Sequence, residues 1–137
     1  MPSVAGILET ALYVSDVKVT AEFYKRIFGF KTLLESDRLI ALDVAGKNVL
    51  LLFKQGATAE PFTITGGTIP GHDGCGQTHF AFSITANEYD AWREKLIASG
   101  VAIESEVSWP QGARSLYFRD PDNHLAELIT AGFWTIY

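Results

Sequence analysis

Cysteine is almost absent from this chain: Cys75 is the only one among 137 residues. That excludes an internal disulfide and any zinc cluster built from cysteines. Basic runs are missing as well, and the formal net charge is -5. A phosphate backbone is therefore a poor partner, and no nucleic acid is expected. No long apolar run occurs. The longest, Val49-Leu50-Leu51-Leu52-Phe53, is far short of the roughly 20 residues that span a bilayer. The opening Met1-Pro2-Ser3-Val4-Ala5-Gly6 lacks the basic and apolar regions of an export signal. These absences lead to the expectation of a cytoplasmic protein with no membrane partner. What is present is a globular composition, 47% hydrophobic and 20% charged, at a length that suits one ordinary domain, 1–137, with a sizeable core.

The chain reads as two similar halves. Ile7 to Val14 alternates and is rich in strand formers. Ser15-Asp16 can cap a helix carrying Val19, Phe23, Ile27 and Phe28 on one face and ending near Gly29. Strands follow around Lys31–Glu35, Leu39–Val44 and Val49–Phe53, the last two joined by the turn Ala45-Gly46-Lys47-Asn48. The same order returns. Thr78–Ile84 alternates as a strand, and Thr85 caps a helix bearing Tyr89, Trp92, Leu96 and Ile97 that stops at Gly100. Strands follow near Ala102–Val107, Arg114–Arg119 and His124–Thr130, with Asp120-Pro121-Asp122-Asn123 as the last turn. Repeat one covers about 5–54 and repeat two about 78–131, with an aromatic tail at 132–137. The stretch 55–77 between them holds six glycines and reads as a long mobile loop.

Certain pieces carry a family likeness. In the first half they are Leu12-Tyr13-Val14-Ser15-Asp16, Ala21-Glu22-Phe23-Tyr24 and Phe28-Gly29-Phe30. In the second they are His79-Phe80-Ala81-Phe82 and the run Tyr117–Leu128. Their order and spacing resemble the glyoxalase/bleomycin-resistance/extradiol-dioxygenase superfamily over nearly the whole chain. The resemblance implies an α+β fold, the vicinal oxygen chelate fold. In it two βαβββ repeats form a curved mixed sheet around a cleft, commonly in a homodimer that binds a small-molecule substrate.

Strand alternation places candidate chemistry on one face. Leu8, Thr10, Leu12 and Val14 share one side of the first strand; Glu9, Ala11 and Tyr13 share the other. Phe80, Phe82 and Ile84 likewise oppose His79, Ala81 and Ser83. In the last strand Ala126 and Leu128 take the helix side, which leaves Glu127 on the open face with Leu125 and Ile129. A carboxylate inside an apolar strand is costly without compensation. One divalent ion would compensate both Glu9 and Glu127, with His79 imidazole completing the set. The resemblance puts metal ligands at these same three positions, although His is frequent where this chain has Glu9. Iron, manganese, nickel, cobalt and zinc all suit such ligands. The alternative is structural: ion pairs of Glu9 and Glu127 with Arg114 or Arg119, and a satisfied core His79. By the internal repeat, the first-half counterpart of Glu127 is Leu51 or Leu52. In glyoxalase I that place carries a carboxylate base, so ordinary glyoxalase I chemistry is not expected.

Tyr117 and His72 are candidate catalytic groups, Tyr117 as a hydrogen-bond donor to a substrate oxygen and His72 as an acid/base on the glycine-rich loop. Tyr13, Ser115, Arg114 and Trp109 are candidate substrate-binding residues. His124, in a tight hairpin, is expected to be exposed, and Cys75 has no base next to it in sequence. The tail Phe133-Trp134-Thr135-Ile136-Tyr137 is too aromatic to stay in water. Together these point to a metal-dependent enzyme of lyase, isomerase or dioxygenase type acting on a small oxygen-chelating substrate. A metal-free drug-binding protein of the bleomycin-resistance kind is the alternative, with a degenerate dimer scaffold behind it.

Overall fold

The computed structural model describes residues 1–137, and its contacts divide them into two units, Met1–Gly76 and Gln77–Tyr137. No helix is long and apolar enough to cross a membrane.

Unit one begins with β1 (Glu9–Val14), α1 (Val17–Phe28), β2 (Lys31–Glu35), β3 (Leu39–Val44) and β4 (Asn48–Lys54). The sheet order is β1-β4-β3-β2. β1 runs parallel to β4, and the other pairings are antiparallel. The parallel pair needs a crossover, and α1 begins it. Asp16 caps α1 as the sequence suggests, its Oδ1 accepting the N–H groups of Lys18 at 2.9 Å and Val19 at 3.1 Å. Gly29 ends the helix with φ 71°. The buried stripe differs from the expected one. Val17, Thr20, Ala21, Tyr24 and Ile27 face the sheet, while Val19 is 54% exposed. The i, i+3/i+4, i+7 stripe starts at Val17, two residues before Val19, because it accepts the small Thr20 and Ala21. Leu12, Val14, Leu42, Leu50 and Leu52 complete this core from the strands.

The stretch 55–77 is not the structureless loop that its glycines suggest. It forms a hairpin, β5 (Phe62–Ile64) with β6 (Gly67–Ile69). Its return arm is tied down by His72 N–H donating to Thr58 C=O at 2.8 Å and Thr58 Oγ1 donating to His72 C=O at 2.7 Å.

Unit two repeats the topology with β7 (His79–Ile84), α2 (Tyr89–Ala98), β8 (Ile103–Ser108), β9 (Arg114–Arg119) and β10 (Leu125–Thr130). The order β7-β10-β9-β8, with β7 parallel to β10, matches unit one strand for strand. A 3₁₀ turn, Ala86–Glu88, precedes α2. Thr85 spends its hydroxyl on the Glu88 side chain rather than on the helix backbone. On α2 only Tyr89 and Leu96 are buried, and Ile97 is 54% exposed, so the expected apolar face is narrower than drawn from spacing. His124 is corrected outright: it is 1% exposed. Asp120 Oδ1 accepts the N–H groups of Asp122 at 3.0 Å and His124 at 2.9 Å. That turns the hairpin inward, and His124 Nδ1 accepts the Thr78 N–H at 3.0 Å.

The expectation that the aromatic tail leaves water is met only in part: Trp134 is 63% and Ile136 95% exposed, while two other tail residues touch their own unit. Phe133 packs on Trp109 with ring centroids 4.6 Å apart, and the Tyr137 hydroxyl donates to Ile84 C=O at 3.0 Å.

Candidate metal centre

β10 lies between β7 and β9, and its register sets the site. Glu127 sits beside Ala81 on one side and Tyr117 on the other, while Leu125 sits beside His79. Alternation then gathers His79, Glu127, Tyr117 and Ser115 on the sheet face turned away from α2. His79 is exposed there, whereas Glu127 is only 5% exposed.

The hydrogen bonds fix who gives and who receives. His79 Nδ1 stands 2.9 Å from Leu125 C=O. A carbonyl only accepts, so Nδ1 carries the hydrogen, and in a neutral ring Nε2 is left with a lone pair. That lone pair meets Glu127 Oε2 at 3.2 Å. Glu127 Oε1 is already satisfied by the Ser115 hydroxyl at 2.6 Å. Two acceptors this close need something between them, either a shared proton or a cation held by both. Burial, followed by its hydrogen bond to Glu127 and the charge there, pushes the Tyr117 hydroxyl above its ordinary pKa, with Ser115 opposing. Tyr117 therefore stays a hydrogen-bond donor through neutral pH.

The structural alternative for the arginines holds, but not with the carboxylates named for it. Arg119 pairs with Glu104 at 2.7 Å, and Arg114 pairs with Asp90 at 3.5 Å. The Arg114 guanidinium also lies over the Tyr89 ring, 3.6 Å from its centroid, on the α2 side of the sheet. That is the face opposite Glu127, because Arg114 and Ser115 alternate along β9. Arg114, read from sequence as substrate-binding, is therefore committed to the helix side in this structure. Ser115 and Trp109 do lie by the site: Trp109 Nε1–H donates to Ser115 Oγ at 2.8 Å. This link between Trp109 and Glu127 escaped sequence reading, since no local spacing signals a bond across a β8–β9 turn.

In unit one, Glu9 opens β1 beside Val49, exposed and without an ion pair. Leu51 sits beside Ala11 as Glu127 sits beside Ala81, so Leu51 rather than Leu52 is the counterpart of Glu127. Two residues beyond Ala11, the Tyr13 hydroxyl and His72 Nδ1 are 2.6 Å apart. Phe53 stacks on Tyr13 at 5.7 Å and meets His72 edge-on at 4.6 Å. Neither unit alone gathers three His, Cys, Asp or Glu side chains around one point. Glu9 belongs to one unit and the His79–Glu127 pair to the other. Cys75 is free and exposed.

Comparison with known proteins agrees with this architecture. The family model of the Glyoxalase/Bleomycin resistance protein/Dioxygenase superfamily matches residues 6–128. The chain is 32% identical over 128 residues to a metallothiol transferase, FosB, of Bacillus licheniformis, covering 93% of this chain and 76% of that protein. It is 31% identical over 133 residues to the fosfomycin resistance protein FosX of Listeria innocua, covering 91% and 89%. A crystal structure of a lactoylglutathione lyase from Agrobacterium tumefaciens superposes with a TM-score of 0.89 at 30% identity, covering 98% of this chain and 99% of the other. With its duplicated βαβββ topology and these matches, the chain belongs to the Glyoxalase/Bleomycin resistance protein/Dioxygenase superfamily and has the vicinal oxygen chelate fold.

Proposed function

We propose that the protein is a metal-dependent enzyme that acts on a small substrate presenting oxygen atoms to one divalent ion. The observation that carries this reading is the pair of facing acceptors, His79 Nε2 and Glu127 Oε2, each with its other polar atom already engaged. A divalent ion of iron, manganese, nickel, cobalt or zinc fits such an imidazole–carboxylate pair. Glu9 is the proposed third ligand. It lies on unit one, and we also propose a homodimer. Bound there, the ion would supply Lewis acidity toward a chelated oxygen.

The chain's own groups do the rest. Tyr117 donates a hydrogen bond at the metal-side face. His72, its Nδ1 engaged by Tyr13, offers Nε2 for proton exchange at the face of unit one. Tyr13 with the Phe53 ring in unit one, and Trp109 in unit two, are the apolar groups proposed for substrate binding. The names of the relatives span thiol transfer, fosfomycin resistance and lyase activity. Leu51 removes the carboxylate base from the place that glyoxalase I uses. We therefore place the reaction among lyase, isomerase, dioxygenase and ring-opening transferase types. In a metal-free drug-binding protein the same pair would be held by a proton, as an ordinary His79–Glu127 ion pair.

Metal analysis after repletion with each ion in turn tests the reading. Wild-type protein is expected to hold one ion per chain. Glu9→Ala, His79→Ala and Glu127→Ala are each expected to fall well below one. Substoichiometric wild-type protein, or full loading of Glu9→Ala, overturns the ligand set.

A further inference from the structure

One donor is not explained by the ligand set: the indole N–H of Trp109, spent on a serine hydroxyl rather than on water. The chain of bonds has only one direction. Indole Nε1–H donates and never accepts, so it occupies a lone pair of Ser115 Oγ at 2.8 Å. The serine hydroxyl has a single hydrogen, and the carboxylate of Glu127 only accepts, so that hydrogen goes to Oε1 at 2.6 Å. Ser115 is fully buried and Glu127 nearly so, which removes water as a competing partner. A serine with only Glu127 as partner would still be satisfied. The Trp109 bond adds something else: it stops the hydroxyl from rotating away. Trp109 is held in turn by Phe133 of the tail, ring to ring at 4.6 Å.

We propose that Ser115 and Trp109 are positioning residues that lock Glu127 with Oε1 engaged and Oε2 turned toward His79, so that the carboxylate is ordered before a cation arrives. The inference rests on the metal reading above. Outer partners of ligating carboxylates are worth about 10–100-fold in metal affinity. Because Trp109 acts only through Ser115, the two should not be additive.

The test is calorimetric titration of the full-length protein with Mn(II) and, separately, Ni(II), alongside thermal melting of the metal-free protein. Ser115→Ala is expected to bind about 10–100-fold more weakly. Trp109→Phe keeps the aromatic contact with Phe133 but loses the N–H, and its affinity is expected to fall by about threefold to tenfold. The double variant should bind no more weakly than Ser115→Ala. Ser115→Thr, which keeps a hydroxyl, should return affinity to within about threefold of wild type. A merely structural role would lower the melting temperature of the metal-free variants and leave affinity unchanged; that result overturns the proposal. If Ser115→Ala does not fold, Trp109→Phe decides by the same criterion. Wild-type protein that takes up neither ion overturns the metal reading itself, which separates that failure from failure of the relay.

Discussion

His79 Nε2 and Glu127 Oε2 face each other at 3.2 Å with no hydrogen that a neutral ring could place between them. A backbone carbonyl and a serine hydroxyl have taken the alternatives. A cation shared by both groups should therefore stabilise the folded state strongly, and its loss should be readable in a melting curve.

Metal should raise the stability of wild-type protein by about 2.7 kcal/mol when its concentration is 100 times the dissociation constant. His79→Ala and Glu127→Gln should lose that response. Thermal melts with and without Mn(II), Ni(II) or Zn(II), and again after chelator treatment, measure it. An equal rise in Glu127→Gln would mean the ion binds elsewhere.

Tyr13→Phe should loosen the return arm of the 55–77 segment. The variant removes the hydroxyl that His72 Nδ1 meets at 2.6 Å but keeps the ring on Phe53. The expected loss is about 1 kcal/mol. Faster amide exchange at His72, whose N–H bonds Thr58 C=O, should report it locally, with β7–β10 unchanged.

Acid should release the same segment at Asp73. Its Oδ1 accepts the N–H groups of Gly56 at 3.0 Å and Gly74 at 2.9 Å. The Gly56 bond first, then Gly74, hold its carboxyl below the ordinary 3.8. A depressed folded value means stabilisation that is full above 3.8 and is lost as pH falls below it through the folded value. Asp73→Asn should flatten this part of the acid limb. Exchange at Gly56 and Gly74, followed from pH 5 downward, checks the sign.

Glycine content overstates freedom in this segment, and two alanine substitutions should separate space from flexibility. A Cβ on Gly71 would fall 2.1 Å from the Ala59 carbonyl oxygen, a backbone atom that must shift to admit it. Gly66 has open space around the same position. Gly71→Ala should cost about 1–3 kcal/mol, and Gly66→Ala should lie within about 0.5 kcal/mol of wild type. Urea unfolding of the two variants measures both.

Local patterns carried much of the fold. The order of strands and helices was legible because alternation has period two and helix faces recur every three to four residues. The Asp16 cap and the Gly29 stop follow from single-residue chemistry. Burial misled where it depended on what lies above a residue. Val19 and Ile97 are apolar but stay in solvent, and His124 is polar but buried. A sequence does not state which stripe of a short helix the sheet will accept, nor that a turn carboxylate will draw a histidine inward.

The sequence alone determined the duplication, the strand faces and the residue types that put His79 and Glu127 on one side of unit two, because these are properties of neighbours along the chain. Tertiary structure alone decided the rest: which imidazole nitrogen is committed to Leu125, which oxygen of Glu127 Ser115 takes, and that Trp109 stands behind Ser115. Those facts depend on the register of β7, β9 and β10 and on a turn that brings distant groups within hydrogen-bond reach. Such distances arise from folding in three dimensions, and residue spacing does not encode them.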